Sequence, residues 1–319
     1  MTSRTDVTIH PPEETQEPAL AERPGLLDRP LVAGLRLNAW HGALLALVVF
    51  LFLTRLWDLG SRGYSHDESI HAWEAWKLVT GQGYRHNPVY HGPLLYHVTA
   101  LVFALFGHTD VTARLATALV GVAIALTPLL FRRWLGKWGT LAAIALMAIS
   151  PVLMFRSRFI RHDHMAILAN VVLVYAIVRY LAERRERERV LAAAALSLSL
   201  AGKETSFITV FILGTFLFLY WALHWVRDRS LSWRAMAALP AMDLMVVIGT
   251  LILPFAAAFP ITLFGGNPVD YQTGLAWKGA VVLGLVGIGA AIGALWNWRR
   301  WLLCAGVFWG LFIPLFTSL

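Results

Sequence analysis

From Arg132 onward, each interval between two arginine clusters in this chain holds two apolar stretches. The clusters are Arg132, Arg133 and Lys137; Arg179, Arg184, Arg185, Arg187 and Arg189; Arg227, Arg229 and Arg234; and Arg299 and Arg300. The stretches between them are 138–155 and 165–181, 190–202 and 205–226, and 239–259 and 279–295. Runs approaching 20 apolar residues match the hydrocarbon core of a bilayer. Two crossings return a chain to the side it left, so all four clusters share one face. The enrichment of Arg and Lys in cytoplasmic loops makes that face the inner one. With 58% hydrophobic and 14% charged residues, the chain is too apolar for an ordinary soluble domain. It reads as an all-α polytopic membrane protein. The net charge of +8 follows from the inner loops and calls for no nucleic acid partner. The single Cys304 lies in an apolar run, which excludes a disulfide framework and a thiolate metal site.

Residues 1–38 are rich in Pro, Glu, Thr and Arg, a composition that builds no core and is expected to form a disordered cytoplasmic tail. Arg29 and Arg36 precede the first apolar run, 39–57, which starts too far in for a cleavable signal and is expected to remain as an anchor. Between the tail and Arg132 the number of crossings must be even, yet three apolar stretches occur: 39–57, 93–107 and 111–131. The weakest is 93–107, which is short and contains His97, so it is assigned to an interfacial helix. The expectation is a transmembrane domain over 39–319 with about nine spans. An outer loop covers 58–110 and a second covers 156–164. The final apolar stretch has no polar tail after it, as in the front part of a longer protein or a truncated copy.

In the first outer loop, Ser65 followed by Glu68 fits a capping box that starts a helix over 66–79. Asp67, His71 and Glu74 fall on one face of that helix, with Trp73 and Trp76 suited to the headgroup level. An amphipathic helix lying on the membrane, its carboxylate–histidine face exposed, is expected. Acids in a first turn also complement the helix dipole, which accounts for Glu68 and Glu74 without any function. Asp67 is not needed for the cap. The segment 84–93, dense in aromatic, His and Pro residues, suits an amphiphilic ligand with a polar head and equally a stiff connector.

The second outer loop carries Arg156, Arg158, Arg161, His162, Asp163 and His164. Arginines on the face that normally lacks them point to phosphate, which a guanidinium grips in a bidentate fork. Snorkelling to the headgroups explains Arg156 or Arg158 taken singly. His162 and His164 leave room for a divalent metal, although neighbours in a helix start diverge too far for the triplet to share one ion. Lys203 supplies another cation near the same face, with its neighbour Glu204 as the competing partner. The 267–271 loop is outer by the same count.

At these residues the chain resembles the GT-C membrane glycosyltransferases. Tyr64-Ser65-His66-Asp67-Glu68-Ser69, His91-Gly92-Pro93-Leu94-Leu95-Tyr96 and Arg158-Phe159-Ile160-Arg161-His162-Asp163 are similar to a branch related to protein O-mannosyltransferases. Members of that branch are known as flippase-activity-associated proteins of archaeal-type N-glycosylation. The resemblance implies a GT-C-like transmembrane helical bundle with an outer juxtamembrane-helix loop. It also implies inverting sugar transfer on the outer face of the cell membrane, from a polyprenyl-phosphate sugar donor to a glycan, lipid or protein acceptor. Carried over by motif, Asp67 and Asp163 are the catalytic carboxylates. Glu68 and His91 are expected to bind substrate, and Arg158, Arg161 and Lys203 to hold the donor phosphate by their chemistry. His91-Gly92 departs from the Glu-Lys that the lipid-A aminoarabinose branch carries before the same proline. A non-catalytic factor that binds or translocates lipid-linked sugars is the alternative. An ion-coupled transporter would need ionisable residues in mid-span, and only Asp243 comes near that description.

Overall fold

The computed structural model describes residues 38–83, 87, 90–270 and 272–317. The tail expected over 1–38 thus lies outside the described residues except for Asn38, as does much of the aromatic segment at 84–89. The stretch Leu45–Leu319 forms one compact unit, and its architecture is helical throughout. In chain order the helices are α1 (Ala39–Leu56), α2 (His66–Val79), α3 (Leu94–Phe106), α4 (Asp110–Leu126), α5 (Arg132–Ile149), α6 (Pro151–Arg156) and α7 (His162–Glu183). There follow α8 (Glu186–Gly202), α9 (Ser206–Arg227), α10 (Trp233–Ala237), α11 (Pro240–Ile252), α12 (Ala258–Leu263) and α13 (Leu275–Thr317).

Among the described residues six helical segments are long and apolar enough to cross a bilayer: α1, Asp110–Leu129, α7, α9, Pro240–Leu263 and α13. The count of nine also takes in α5, α8 and a second arm of α13. α5 opens on Arg132 and Arg133 and breaks at Gly136, which has φ 67°. α8 has 17 residues and begins Glu-Arg-Glu-Arg. α13, at 43 residues, would run about 65 Å if straight, twice the thickness of a hydrocarbon core. It breaks at Asn297 (φ −164°, ψ 95°). Trp301 then comes back so close to Gly293 that a Cβ there would lie 2.1 Å from the indole. α3 has 13 residues, a rise of about 20 Å, which falls short of the roughly 30 Å of a hydrocarbon core.

Two cores organise the unit. The larger packs α7 and α8 against α11 and the second arm of α13, through Leu173, Ile177, Leu196, Leu244 and Phe308. Ala192, Ala193 and Ala195 line α8, and such small side chains let helix backbones approach closely in a membrane. The smaller core joins α2, α3 and α4 through Ala75, Leu95, Phe103 and Ala113, and takes in Ile160.

Ser65 caps α2 and the capping box closes: the Glu68 amide donates to Ser65 Oγ and the Ser65 amide to Glu68 Oε2 at 3.0 Å. The exposed carboxylate–histidine face needs correcting. His71 is buried with Ala72 and Ala75, because that side of α2 rests on α3 and the start of α7. Glu74 turns to Lys77, 2.7 Å away.

Glu68 is also fully buried against Arg114 of α4, whose Nε lies 2.9 Å from Oε1. The other guanidinium nitrogens donate to the carbonyls of Leu59 (2.7 Å), Arg62 (2.8 Å) and Gly63 (3.2 Å). Burial pushes the Glu68 carboxyl up, but bonds from Arg114 and the Ser65 amide outweigh it and hold the group below the ordinary carboxylate range. Its stabilisation is therefore complete above the unfolded-state pKa of about 4.3 and is lost as pH falls through the lower folded value. Removing one partner of a buried pair strands a charge, at a cost of about 3–5 kcal/mol. Arg114→Met should lower the Tm in detergent strongly, and the double variant Glu68→Gln/Arg114→Met should cost less than the two single losses summed. Additive losses would show that the two groups do not act as a pair.

Candidate active site

A cavity of about 270 Å³ lies where the N-termini of α2 and α7 meet the C-terminal end of α8. Asp67 enters it from the first turn of α2, set by the Ser65 cap. Arg161 is the extended residue before α7, and Asp163 sits in that helix's first turn. Lys203 terminates α8, and Tyr90 and His91 arrive on the loop before α3. That loop presses on α8 so tightly that a Cβ on Gly92 would lie 2.1 Å from the Ala201 carbonyl oxygen. Only glycine fits there, and its absence of a side chain brings His91 beside Lys203's helix end.

The charges in the cavity pair across elements. Asp67 receives a hydrogen bond from Arg161, and Lys203 Nζ reaches Asp163 Oδ1 at 2.5 Å. Lys203 is therefore not taken up by its neighbour Glu204, whose carboxylate instead meets His91 Nδ1 at 2.8 Å. Asp67 and Asp163 remain 47% and 36% exposed as side chains, so both stay open to a ligand. Four of the groups singled out in the sequence as site residues, Asp67, Arg161, Asp163 and Lys203, thus converge, with His91 beside them.

Two do not. Glu68 points away from the cavity into the Arg114 pair and the cap, so its expected role in binding substrate gives way to a structural one. Arg158 donates to the carbonyls of Trp57 (2.6 Å) and Asp58 (3.1 Å) and does not line the cavity. Its guanidinium ties the end of α1 to the loop before α7.

Behind the charges lies a histidine–tyrosine floor. The His162 ring stands edge-on to His71, Tyr96 and His91, with centroids 4.6, 5.1 and 5.3 Å away. Tyr96 donates its hydroxyl hydrogen to the Tyr90 carbonyl at 2.8 Å, so toward His71 Nδ1, at 3.3 Å, it acts as acceptor. That assigns the proton to Nδ1 and leaves Nε2 as an acceptor. Burial lowers the His71 pKa to about 4, with His91 and Arg161 adding to the effect and Asp67 opposing it. His71 is thus a neutral imidazole at ordinary pH. Among the described residues no three His, Cys, Asp or Glu side chains are grouped so as to hold a metal. His164 is buried away from the cavity, which leaves His162 without it as a co-ligand.

Sequence reasoning missed Arg114 and Arg55. Both are fully buried, and Arg55 holds the Ala148 and Met147 carbonyls at 2.9 and 3.1 Å. The signal was available: a lone arginine in an apolar helix is costly unless something specific pairs with it.

Comparison with known proteins bears on this arrangement. A sequence model of the dolichyl-phosphate-mannose-protein mannosyltransferases matches residues 90–262, more than half of the chain. Among solved structures, the S. cerevisiae protein O-mannosyltransferase Pmt1-Pmt2 complex bound to the sugar donor is similar, with a TM-score of 0.50 at 18% identity. The match covers 75% of this chain and 34% of the yeast chain, so this chain spans about a third of that relative's length. At such identity the likeness concerns the fold alone. Curated proteins include no sequence match.

The His71 environment has a consequence for stability. The unfolded state takes up a proton below about pH 6.5, while the folded state resists until about 4. Stability is therefore full above 6.5 and declines as pH falls toward 4, by up to about 3 kcal/mol from this group. His71→Asn should flatten the fall in Tm over that interval. An unchanged slope would mean that His71 is protonated in the folded protein.

Proposed function

This chain belongs to the dolichyl-phosphate-mannose-protein mannosyltransferase family, and from that membership we propose that it transfers a sugar from a polyprenyl-phosphate donor to an acceptor at the outer face of the cell membrane. It is an all-helical membrane protein of the GT-C mannosyltransferase-like type. The observation that carries the reading is the convergence of Asp67, Arg161, Asp163 and Lys203 on one cavity. Displacing a lipid phosphate from an anomeric carbon needs a base for the acceptor hydroxyl and cations for the departing phosphate. A cavity near 270 Å³ suits a sugar head rather than a whole lipid.

In this mechanism the donor phosphate takes over the Arg161 guanidinium and releases Asp67 from its ion pair. Asp67 accepts the proton of the acceptor hydroxyl as that oxygen bonds to the anomeric carbon from the face opposite the phosphate. The bond from that carbon to the phosphate oxygen breaks, and its electron pair leaves with the phosphate. Configuration inverts, and polyprenyl phosphate departs with its charge held by Arg161 and Lys203. Asp163 keeps Lys203 in place. His71 Nε2 and His91 offer hydrogen-bond partners to sugar hydroxyls.

The finer placement, in the flippase-activity-associated branch, rests on the motifs at 64–69, 91–96 and 158–163. A second reading, a factor that binds lipid-linked sugars without transferring them, draws support from both carboxylates already holding a cation. A binding site for a head group needs no free base.

Transfer from a polyprenyl-phosphate sugar separates the two. Asp67→Asn should lower the rate by about 10²–10⁴-fold with donor binding retained, and Asp163→Asn should weaken donor binding through Lys203. Unchanged transfer in both variants would sink the enzyme reading, and donor binding without transfer in the unaltered protein would favour the second. Orientation has its own measurement. In a Cys304→Ser background, cysteines at the exposed positions Ser61 and Arg156 should react with an impermeant thiol reagent in intact cells, and one at Ser230 only after permeabilisation. Labelling of Ser61 without Arg156 would break the shared outer face.

A further inference from the structure

A second cavity, of about 360 Å³, opens where the C-terminus of α7, the N-terminus of α11 and the break in α13 come together. Arg184 and Arg300 line it together with Asn297, Trp296, Tyr180 and Asp243. Asp243 is already saturated: it accepts from Tyr180, from Arg189 at 3.1 Å and from Trp296 Nε1 at 2.8 Å. Its charge is met inside the protein by the fully buried Arg189, which also bonds Glu186. The two remaining guanidiniums are lightly engaged. Arg184, held in the left-handed region (φ 52°) where α7 ends, meets only the Ala238 carbonyl at 3.5 Å among the described residues. Arg300 pairs with Glu186 at 3.0 Å, both half exposed, and such pairs are weak and exchangeable.

We propose that this cavity binds the phosphate of an anionic phospholipid headgroup. Two guanidiniums from different helices close on one space, and this fork geometry matches phosphate oxygens. The Asn297 side chain, whose oxygen accepts from the Arg300 amide, presents its NH2 group as a further donor among the lining residues. The site lies at the end of the bundle where the arginine clusters gather, which the positive-inside tendency places at the cytoplasmic leaflet, rich in anionic lipid. A lipid is favoured over free phosphate because Leu295 and Trp298, chain neighbours of the lining residues Trp296 and Asn297, are 88% and 58% exposed. Acyl chains would cover them.

The test uses the full chain in phosphatidylcholine nanodiscs titrated with phosphatidylglycerol, read by Tm and by bound lipid in native mass spectrometry. The unaltered protein should gain stability with phosphatidylglycerol and retain it on delipidation. Arg184→Gln/Arg300→Gln should weaken that binding at least ~10-fold, about 1.4 kcal/mol. The lysine double variant should fall between the two, keeping charge without the fork. Arg227→Gln/Arg229→Gln, basic positions in another cluster, should bind as the unaltered protein does. An equal loss in that control, or no loss in the Arg184/Arg300 variant, overturns the proposal. Inorganic phosphate that stabilises as well as the lipid overturns the lipid as source.

Discussion

Glu68 and Arg114 join three parts of the chain that would otherwise be independent. Arg114 holds the carbonyls of Leu59, Arg62 and Gly63, which fixes the link between α1 and α2. Glu68 closes the cap of α2 and reaches the Ile160 amide at 3.4 Å, one residue before Arg161. The positions of Asp67 and Arg161 therefore both descend from one buried pair. Such a pair is weak evidence for stability in itself, because desolvation cancels much of the attraction. Its value here is geometric: once made, it admits one arrangement of its partners, and losing either half leaves a charge in the core.

Two adjacent carboxylates thus receive opposite assignments from their surroundings. Glu68 is locked by donors on every side and has no freedom to accept a proton during a reaction. Asp67, one residue earlier, turns toward a cavity and holds a single exchangeable partner. Side chains one position apart on a helix point in directions about 100° apart, and this rotation separates the acid buried against Arg114 from the acid in the cavity. The same division recurs at α7, where Asp163 faces the cavity and His164, the next residue, is buried elsewhere.

The two cavities draw on different helix ends. The first collects the N-termini of α2 and α7, whose dipoles favour anions, and adds Arg161 and Lys203. The second collects the arginines that the chain concentrates after α7 and after the break in α13. The proposals made for the two cavities rest on the same chemistry, a guanidinium facing phosphate oxygens.

Much of this was legible from residues alone. The capping box depends on a three-residue spacing, and helix-forming apolar runs depend on length, so both are local properties that a sequence displays. The clustering of Asp67, Arg161, Asp163 and Lys203 was legible only as a shared face, through the alternation of basic clusters. Which cation meets which acid was not. Lys203 is adjacent to Glu204 in the chain, yet it pairs with Asp163 because α8 ends extended and the Gly92 contact brings His91 in to take Glu204. Likewise the burial of His71 and the capture of Glu68 by Arg114 required α3 and α4 to pack on α2. Sequence by itself determined the helices, their caps and the face each charge could occupy, since these follow from hydrophobicity and spacing. Tertiary structure decided the partners, because an ion pair is chosen by distance in space, and those distances arise only when helices from separate stretches of the chain pack together.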